Sequence, residues 1–219
     1  MARGARAVLL DLDGTLSDSR PGIAGSFRHT LAELGHDPST AGDLTWAVGP
    51  PIAVSIRQLL ARYADDRVDQ AVAIYRARYS DVGLYDCALY PGVVPMLEAL
   101  RADGWTLCLA TSKRRDFAAR VVAHLGIADW LAGIYGAEPG GGLDDKADLL
   151  AHILARESYA PEATMMLGDR LHDVHAARAN ELRCIGALWG YGGEAELRTA
   201  GADVLAEAPA AVPALLPRP

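Results

Sequence analysis

Lysine is nearly missing from this chain. Of 21 basic residues in 219, 19 are arginine, and lysine occurs only at positions 113 and 146. Cysteine is also scarce: Cys87, Cys108 and Cys184 are odd in number and lack metal-ligand spacing, which excludes a disulfide scaffold or zinc module and fits reduced thiols. No apolar stretch approaches the ~20 residues that span a bilayer, so no membrane partner is expected. No long polar tract, low-complexity linker or internal repeat interrupts a composition that is 51% hydrophobic, which argues against disorder. Positive charge is in deficit. A net charge of −7 argues against a nucleic-acid surface, which needs a basic stripe, but permits an anionic substrate where a metal and local cations line the pocket. The basic start, Met1-Ala2-Arg3-Gly4-Ala5-Arg6, leads into a strand with carboxylates and not a signal-peptide core, so a cytoplasmic location is expected. The length allows one large domain, or a core with a smaller insertion.

The most informative stretch is Ala7-Val8-Leu9-Leu10 followed by Asp11-Leu12-Asp13-Gly14-Thr15. A continuous apolar run reads as a buried parallel strand, and ligands bind outside the carboxyl ends of such strands. Side-chain alternation puts Asp11 and Asp13 on one side of the chain. Two acids that close repel each other and raise a pKa unless a cation lies between them. Taken alone, the stretch is also consistent with an ordinary strand and an Asp-Gly turn.

Three further pieces follow in order. Leu107-Cys108-Leu109-Ala110 runs into Thr111-Ser112-Lys113; Lys146 follows the glycine-rich Gly140-Gly141-Gly142 loop and opens an amphipathic helix; Met165-Met166-Leu167 runs into Gly168-Asp169-Arg170, with Asp173 four residues past Asp169. Between the first strand and Tyr90-Pro91-Gly92, the spacing predicts helices only. One carries Ile23, Phe27, Leu31 and Leu34; one opens at Pro51; one is capped by Asp65 or Asp66. After Pro91, helices and strands alternate, as in a parallel sheet: strands over 105–110, 133–136, 164–167, 184–187 and 203–205, and helices over 93–102, 116–125, 146–157 and 174–180.

These four pieces resemble the four motifs of the haloacid dehalogenase (HAD) superfamily of phosphohydrolases, and the resemblance spans Val8 to about Gly193. The wording Tyr90-Pro91-Gly92, Thr111-Ser112-Lys113, Gly168-Asp169-Arg170-Leu171-His172-Asp173-Val174 and Trp189-Gly190-Tyr191-Gly192 is similar to the phosphoglycolate phosphatase and 5′-nucleotidase-like branch. The resemblance implies an α/β fold with a Rossmann-like parallel sheet core (residues 1–16 and 87–219) and an inserted small α-helical cap (residues 17–86). It implies Asp11 as nucleophile, forming an aspartyl-phosphate. Asp13 then protonates the leaving alkoxide and later takes a proton from water. Dehalogenases lack this second aspartate, because halide needs no proton. Thr111 and the Ser112 backbone N–H would bind phosphate oxygens, and Lys146 would offset charge on the phosphoryl group. Mg²⁺ would be held by Asp11, the backbone carbonyl of Asp13, and Asp169, with Asp173 as a ligand or as a group orienting a bound water.

The remaining expectations concern the surface and the insertion. Arg170 and His172 are expected to face solvent or the cap; Trp46, Tyr79 and Tyr85 to be cap core; Arg20 and Arg57 to contact substrate. Lysine scarcity singles out Lys146, whereas Lys113 is equally consistent with the surface, so Lys113→Arg is expected to be mild. The implied function is Mg²⁺-dependent hydrolysis of a small phosphomonoester, phosphoglycolate-like or a nucleoside 5′-monophosphate, by a monomer or homodimer. A phosphosugar mutase sharing the chemistry, and a catalytically silent binding protein, are the alternatives.

Overall fold

The apolar run Ala7–Leu10 forms β1, and every one of its side chains is buried. The structure, a computed structural model, describes residues 6–138 and 142–217. Most of the Met1–Arg6 segment, together with Gly140 and Gly141, lies outside them. β1 pairs in parallel with two strands at once, Leu10 opposite Leu109 on one side and Leu167 on the other. A strand flanked on both edges inside a helix-covered sheet has no polar face, which is why its sequence is continuously apolar and not alternating.

The chain passes through a two-residue strand β2 (Ser17–Asp18), then α1 (Arg20–Glu33), α2 (Ile52–Ala61) and α3 (Val68–Arg78), and returns through β3 (Ala88–Leu89). The alternating part follows: α4 (Val93–Ala102), β4 (Thr106–Arg114), α5 (Arg115–His124), β5 (Gly133–Ala137), α6 (Lys146–Glu157), β6 (Thr164–Gly168), α7 (Leu171–Ala179), β7 (Arg183–Ala187), α8 (Gly193–Ala200), β8 (Val204–Ala206) and a last turn α9 (Val212–Leu215). The six-stranded sheet has the order β5-β4-β1-β6-β7-β8, and all its pairings are parallel. The chain thus first builds outward on one side of β1 and then on the other, which makes the end of β1 a topological switch point. One sheet face, through Leu9, Cys108, Ala110, Met166 and Cys184, packs on Leu149, Leu150 and Ile153 of α6, Val174 and Ala177 of α7, and Leu197 of α8. All three cysteines are free thiols, and Cys108 and Cys184 are buried.

By compactness the chain divides into two units, residues up to Asp18 with those from Leu89 onward, and Ser19–Ala88. The second unit has its own core. Phe27 of α1 lies 4.7 Å from Tyr75 of α3, ring centre to ring centre, and Tyr75 stacks on Tyr79. A Cβ at Gly22 would fall 2.0 Å from the Gly83 carbonyl oxygen, so α1 approaches the turn after α3 more closely than any side chain permits. Tyr79 is core as expected, but Tyr85 is 41% exposed, because the π-helical turn Tyr79–Gly83 carries the chain out to the surface beyond it. Asp65 does not cap α3 directly. Its carboxylate accepts from the Arg67 backbone N–H and binds His36 at 2.6 Å, which pins the entry to the helix. No helix among the described residues is long and apolar enough to cross a membrane.

Candidate active site

At Asp11 the main chain is still in the ladder, its N–H donating to the Leu167 carbonyl at 3.0 Å, so the carboxylate emerges rigidly from the strand end. The chain then turns sharply: Gly14 N–H donates to the Ser17 carbonyl and Ser17 N–H to that of Leu12. Gly14 sits at φ +95°, and a Cβ there would fall 2.2 Å from an Asp169 carboxylate oxygen. The glycine of the Asp-Leu-Asp-Gly stretch is thus required twice, by conformation and by space.

Three other elements converge on Asp11. Asp169 directly follows β6. Asp173 sits in the first turn of α7, where its Oδ2 accepts from the Arg170 backbone N–H at 2.9 Å and closes the helix start. Lys146 is the first residue of α6, fixed there by Asp145, whose carboxylate accepts from the Ala147 and Asp148 N–H groups. The Lys146 ammonium donates to Asp11 Oδ1 at 2.6 Å and also pairs with Asp173 Oδ1.

Asp11, Asp169 and Asp173 each bring an oxygen within 4.8 Å of the others, and all three are buried. Burial pushes the Asp11 carboxyl up to about 7; Lys146 opposes the shift, and Asp173 adds to it. Asp169 is raised well above its ordinary range by burial and by the neighbouring carboxylates. Burial works against the Lys146 charge, but Asp11 and Asp173 outweigh it and hold the ammonium above its usual range. One ammonium against three desolvated carboxylates leaves an excess of negative charge, and hard oxygen donors this close fit a divalent cation.

Asp169 is held by a loop whose role the sequence did not disclose. Its Oδ2 accepts from the Tyr191 backbone N–H at 2.7 Å and its Oδ1 from the Thr15 hydroxyl at 3.1 Å. The Trp189 indole donates to the Thr15 carbonyl at 2.9 Å, and the Tyr191 hydroxyl to Asp18. A Cβ at Gly190 would stand 2.3 Å from Asp169 Cβ and 2.4 Å from the Gly14 carbonyl oxygen. The signal was present as two glycines alternating with two aromatics. What they contact depends on how far β7 brings them toward β1, which local pattern does not encode.

The other expected residues are placed as follows. Thr111 is buried within β4, two positions past the partner of Leu10; the strand continues to Arg114 beyond the expected end at Ala110, with a register shift after Thr111. Ser112 next to it is exposed. The carboxylate of Asp13 stands outside the three-acid cluster and binds the Lys113 ammonium at 2.7 Å. Of the two placements open for Lys113, the surface is excluded: its side chain is 6% exposed, because the extended end of β4 turns it toward the Asp13 turn. Arg170, expected to face solvent or the cap, is half-buried and pairs its guanidinium with Glu196 at 2.9 Å; His172 is exposed. Arg20 and Arg57 are exposed residues of α1 and α2 in the second unit.

A strand-end acid cluster at the switch point of a parallel sheet, with a lysine delivered by a helix start, is matched by a family model. The model of haloacid dehalogenase-like hydrolases fits residues 8–187. The chain belongs to the haloacid dehalogenase-like hydrolases. This HAD chain is 39% identical over 191 residues to a 5′-nucleotidase of Pseudomonas aeruginosa, covering 87% of this chain and 86% of that protein. It is 32% identical over 214 residues to a plasmid phosphoglycolate phosphatase of Cupriavidus necator, covering 96% and 92%. It is 42% identical over 186 residues to the tyrosine-protein kinase PtkA of Mycobacterium tuberculosis, covering 84% of this chain but only 62% of that longer protein. The solved structure of a predicted phosphatase from Clostridium acetobutylicum superimposes with a TM-score of 0.86 at 29% identity, over 97% of this chain and 98% of that one. The protein is a HAD-type phosphatase, a hydrolase of phosphoric monoesters.

Proposed function

We propose that this HAD-type phosphatase hydrolyses a small phosphomonoester through an aspartyl-phosphate on Asp11, with Mg²⁺ as the divalent ion. The observation that carries this reading is the buried Asp11 carboxylate, gripped on one oxygen by Lys146 inside the Asp11–Asp169–Asp173 cluster, with Asp13 standing apart from it. Asp11 Oδ2 attacks phosphorus in line, the P–O bond to the alcohol breaks, and Asp13 delivers its proton to the departing oxygen. Water then gives a proton back to Asp13 and attacks the aspartyl-phosphate, which releases inorganic phosphate and restores the Asp11 carboxylate and the protonated Asp13. Thr111 and the Ser112 N–H bind phosphoryl oxygens, and Lys146 offsets the charge gathered near Asp11. Asp11, Asp169, the Asp13 carbonyl and Asp173, directly or through water, would hold Mg²⁺, which when bound neutralises phosphoryl charge and orients the group.

In this reading residues 17–86 form the cap, which the separate compactness of Ser19–Ala88 supports, and Arg20 and Arg57 contact the alcohol part of the substrate. The substrate is a phosphoglycolate-like organic phosphate or a nucleoside 5′-monophosphate, the two kinds named by its phosphatase relatives. The protein acts in the cytoplasm. A phosphate-release screen over ~100 phosphomonoesters with Mg²⁺, ranked by kcat/KM, tests it. Small phosphomonoesters of one class are expected to lead, and absence of phosphate release from every ester overturns the reading. A second reading, transfer of the phosphoryl group to a hydroxyl other than water, draws on the 42% identity to a tyrosine-protein kinase. Formation of phosphotyrosine on added protein, with little free phosphate, would favour it.

A further inference from the structure

Both lysines of this arginine-rich chain lie in the site, and each is joined to one member of the first acid pair. Lys146 binds Asp11 at 2.6 Å and Lys113 binds Asp13 at 2.7 Å. The second pair is well shielded, with the Lys113 and Asp13 side chains 6% and 15% exposed. Its members come from different segments: Asp13 lies in the turn after β1, and Lys113 near the end of β4, inside the register shift between Thr111 and Arg114. Local backbone contacts fix Lys113 in place. Its N–H donates to the Thr111 hydroxyl at 3.2 Å, and a Cβ at Gly136 of β5 would fall 2.4 Å from the Lys113 carbonyl oxygen, so the neighbouring strand presses directly on this segment.

The ammonium grips Asp13 Oδ1. A carboxylate on a single turn residue rotates about two bonds, and without a partner to hold one oxygen it has several places to point. Bound on one oxygen, it has one orientation, and Oδ2 becomes the atom through which a proton passes. Proton transfer tolerates little misplacement, because donor and acceptor must come within ~3 Å.

We propose that Lys113 is a positioning residue of the phosphatase reaction, one that aims Asp13 at the leaving-group oxygen. The inference rests on the reading of Asp13 as the proton donor. It makes a specific demand: Lys113 matters in proportion to how much the leaving group needs a proton. An alkoxide leaves poorly without one, whereas p-nitrophenolate leaves unaided.

The experiment compares kcat/KM of wild type and Lys113→Met on an alkyl phosphomonoester taken from the screen and on p-nitrophenyl phosphate. This constant reports the steps up to aspartyl-phosphate formation, so the later hydrolysis step does not enter. General acids typically contribute 10²–10⁴-fold, so Lys113→Met is expected to lose about 10²-fold on the alkyl ester and less than about fivefold on the aryl ester. The ratio of the two losses is independent of how much of the preparation is folded. Should Lys113→Met fail to fold, Lys113→Gln, which keeps a donor without the charge, is read by the same ratio. Equal losses on both esters overturn the proposal and make Lys113 a structural or general electrostatic residue. No turnover of either ester by the wild type overturns instead the phosphatase reading beneath it.

Discussion

Asp11 and Lys146 bind each other at the centre of the site, and substitutions that conserve size or charge test each of them. Asp11→Asn keeps the volume and a hydrogen-bond acceptor for Lys146, but an amide cannot form the acyl-phosphate. Turnover is expected to fall below about 1% of wild type with the fold intact. Greater residual activity, with deamidation excluded by mass spectrometry, removes Asp11 as nucleophile. Lys146→Arg tests a different property. The ammonium reaches two carboxylates, Asp11 and Asp173, from a helix start fixed by Asp145, and Lys146 is buried. A planar guanidinium is wider and presents its donors in a fork, so it cannot occupy the same point between them. A loss of about 10²–10³ in kcat/KM is expected, the size of a lost transition-state contact. Near-normal kinetics would show that any cation suffices there.

At the scale of elements, the loop after β7 acts as a clasp on Asp169. Two hydrogen bonds fix its carboxylate, and the glycines at 14 and 190 leave room for no side chain beside it. Gly190→Ala would force a methyl into atoms 2.3–2.5 Å away, among them the backbone oxygen of Gly14, so Asp169 must move. Changes to groups that orient metal ligands typically cost 10–100-fold in metal affinity or activity. The Mg²⁺ concentration for half-maximal activity is therefore expected to rise by at least about tenfold. Gly25→Ala, on the open face of α1 with nothing within 4 Å, is the control and should leave the Mg²⁺ titration unchanged. An unshifted titration for Gly190→Ala would mean that Asp169 is not a ligand, or that the loop does not hold it.

The buried acids also bear on the stability of the whole molecule. Asp11 titrates near 3.9 in an unfolded chain and at about 7 in the fold without metal. Between those values the unfolded chain binds fewer protons, so stability falls as pH rises through this window and levels off above it. Asp169 acts in the same direction. Lys146, raised above its ordinary range, contributes stability that is constant here and is lost only in strongly alkaline solution. Calorimetry of the metal-free protein should accordingly give a higher melting temperature at pH 5 than at pH 7.5, with a shallower dependence in Asp11→Asn. Added Mg²⁺ at pH 7.5 should raise the melting temperature through binding to the native state. A wild-type slope of the opposite sign, or one matched by Asp11→Asn, would contradict this electrostatic account.

The sequence by itself determined whatever depends on neighbours along the chain. The strand Ala7–Leu10, the helices Lys146–Glu157 and Val93–Ala102, and the change of rhythm near Pro91 were legible because burial imprints a period on local sequence. So was the candidate acid pair, because three further apolar runs or helix starts ending in polar residues follow it in order. Tertiary structure decided what depends on distances between strands. The partnership of Lys113 with Asp13 spans 100 positions and needs β4 to extend past its apolar run, so local pattern leaves Lys113 open between the surface and the site. The pairing of Arg170 with Glu196 and the clasp of Trp189–Gly192 on Asp169 arise because parallel strands collect their carboxyl ends in one place. Hydrophobic pattern specifies which strands are buried. The order in which they lie, and so which polar ends meet, is set only when the sheet is assembled.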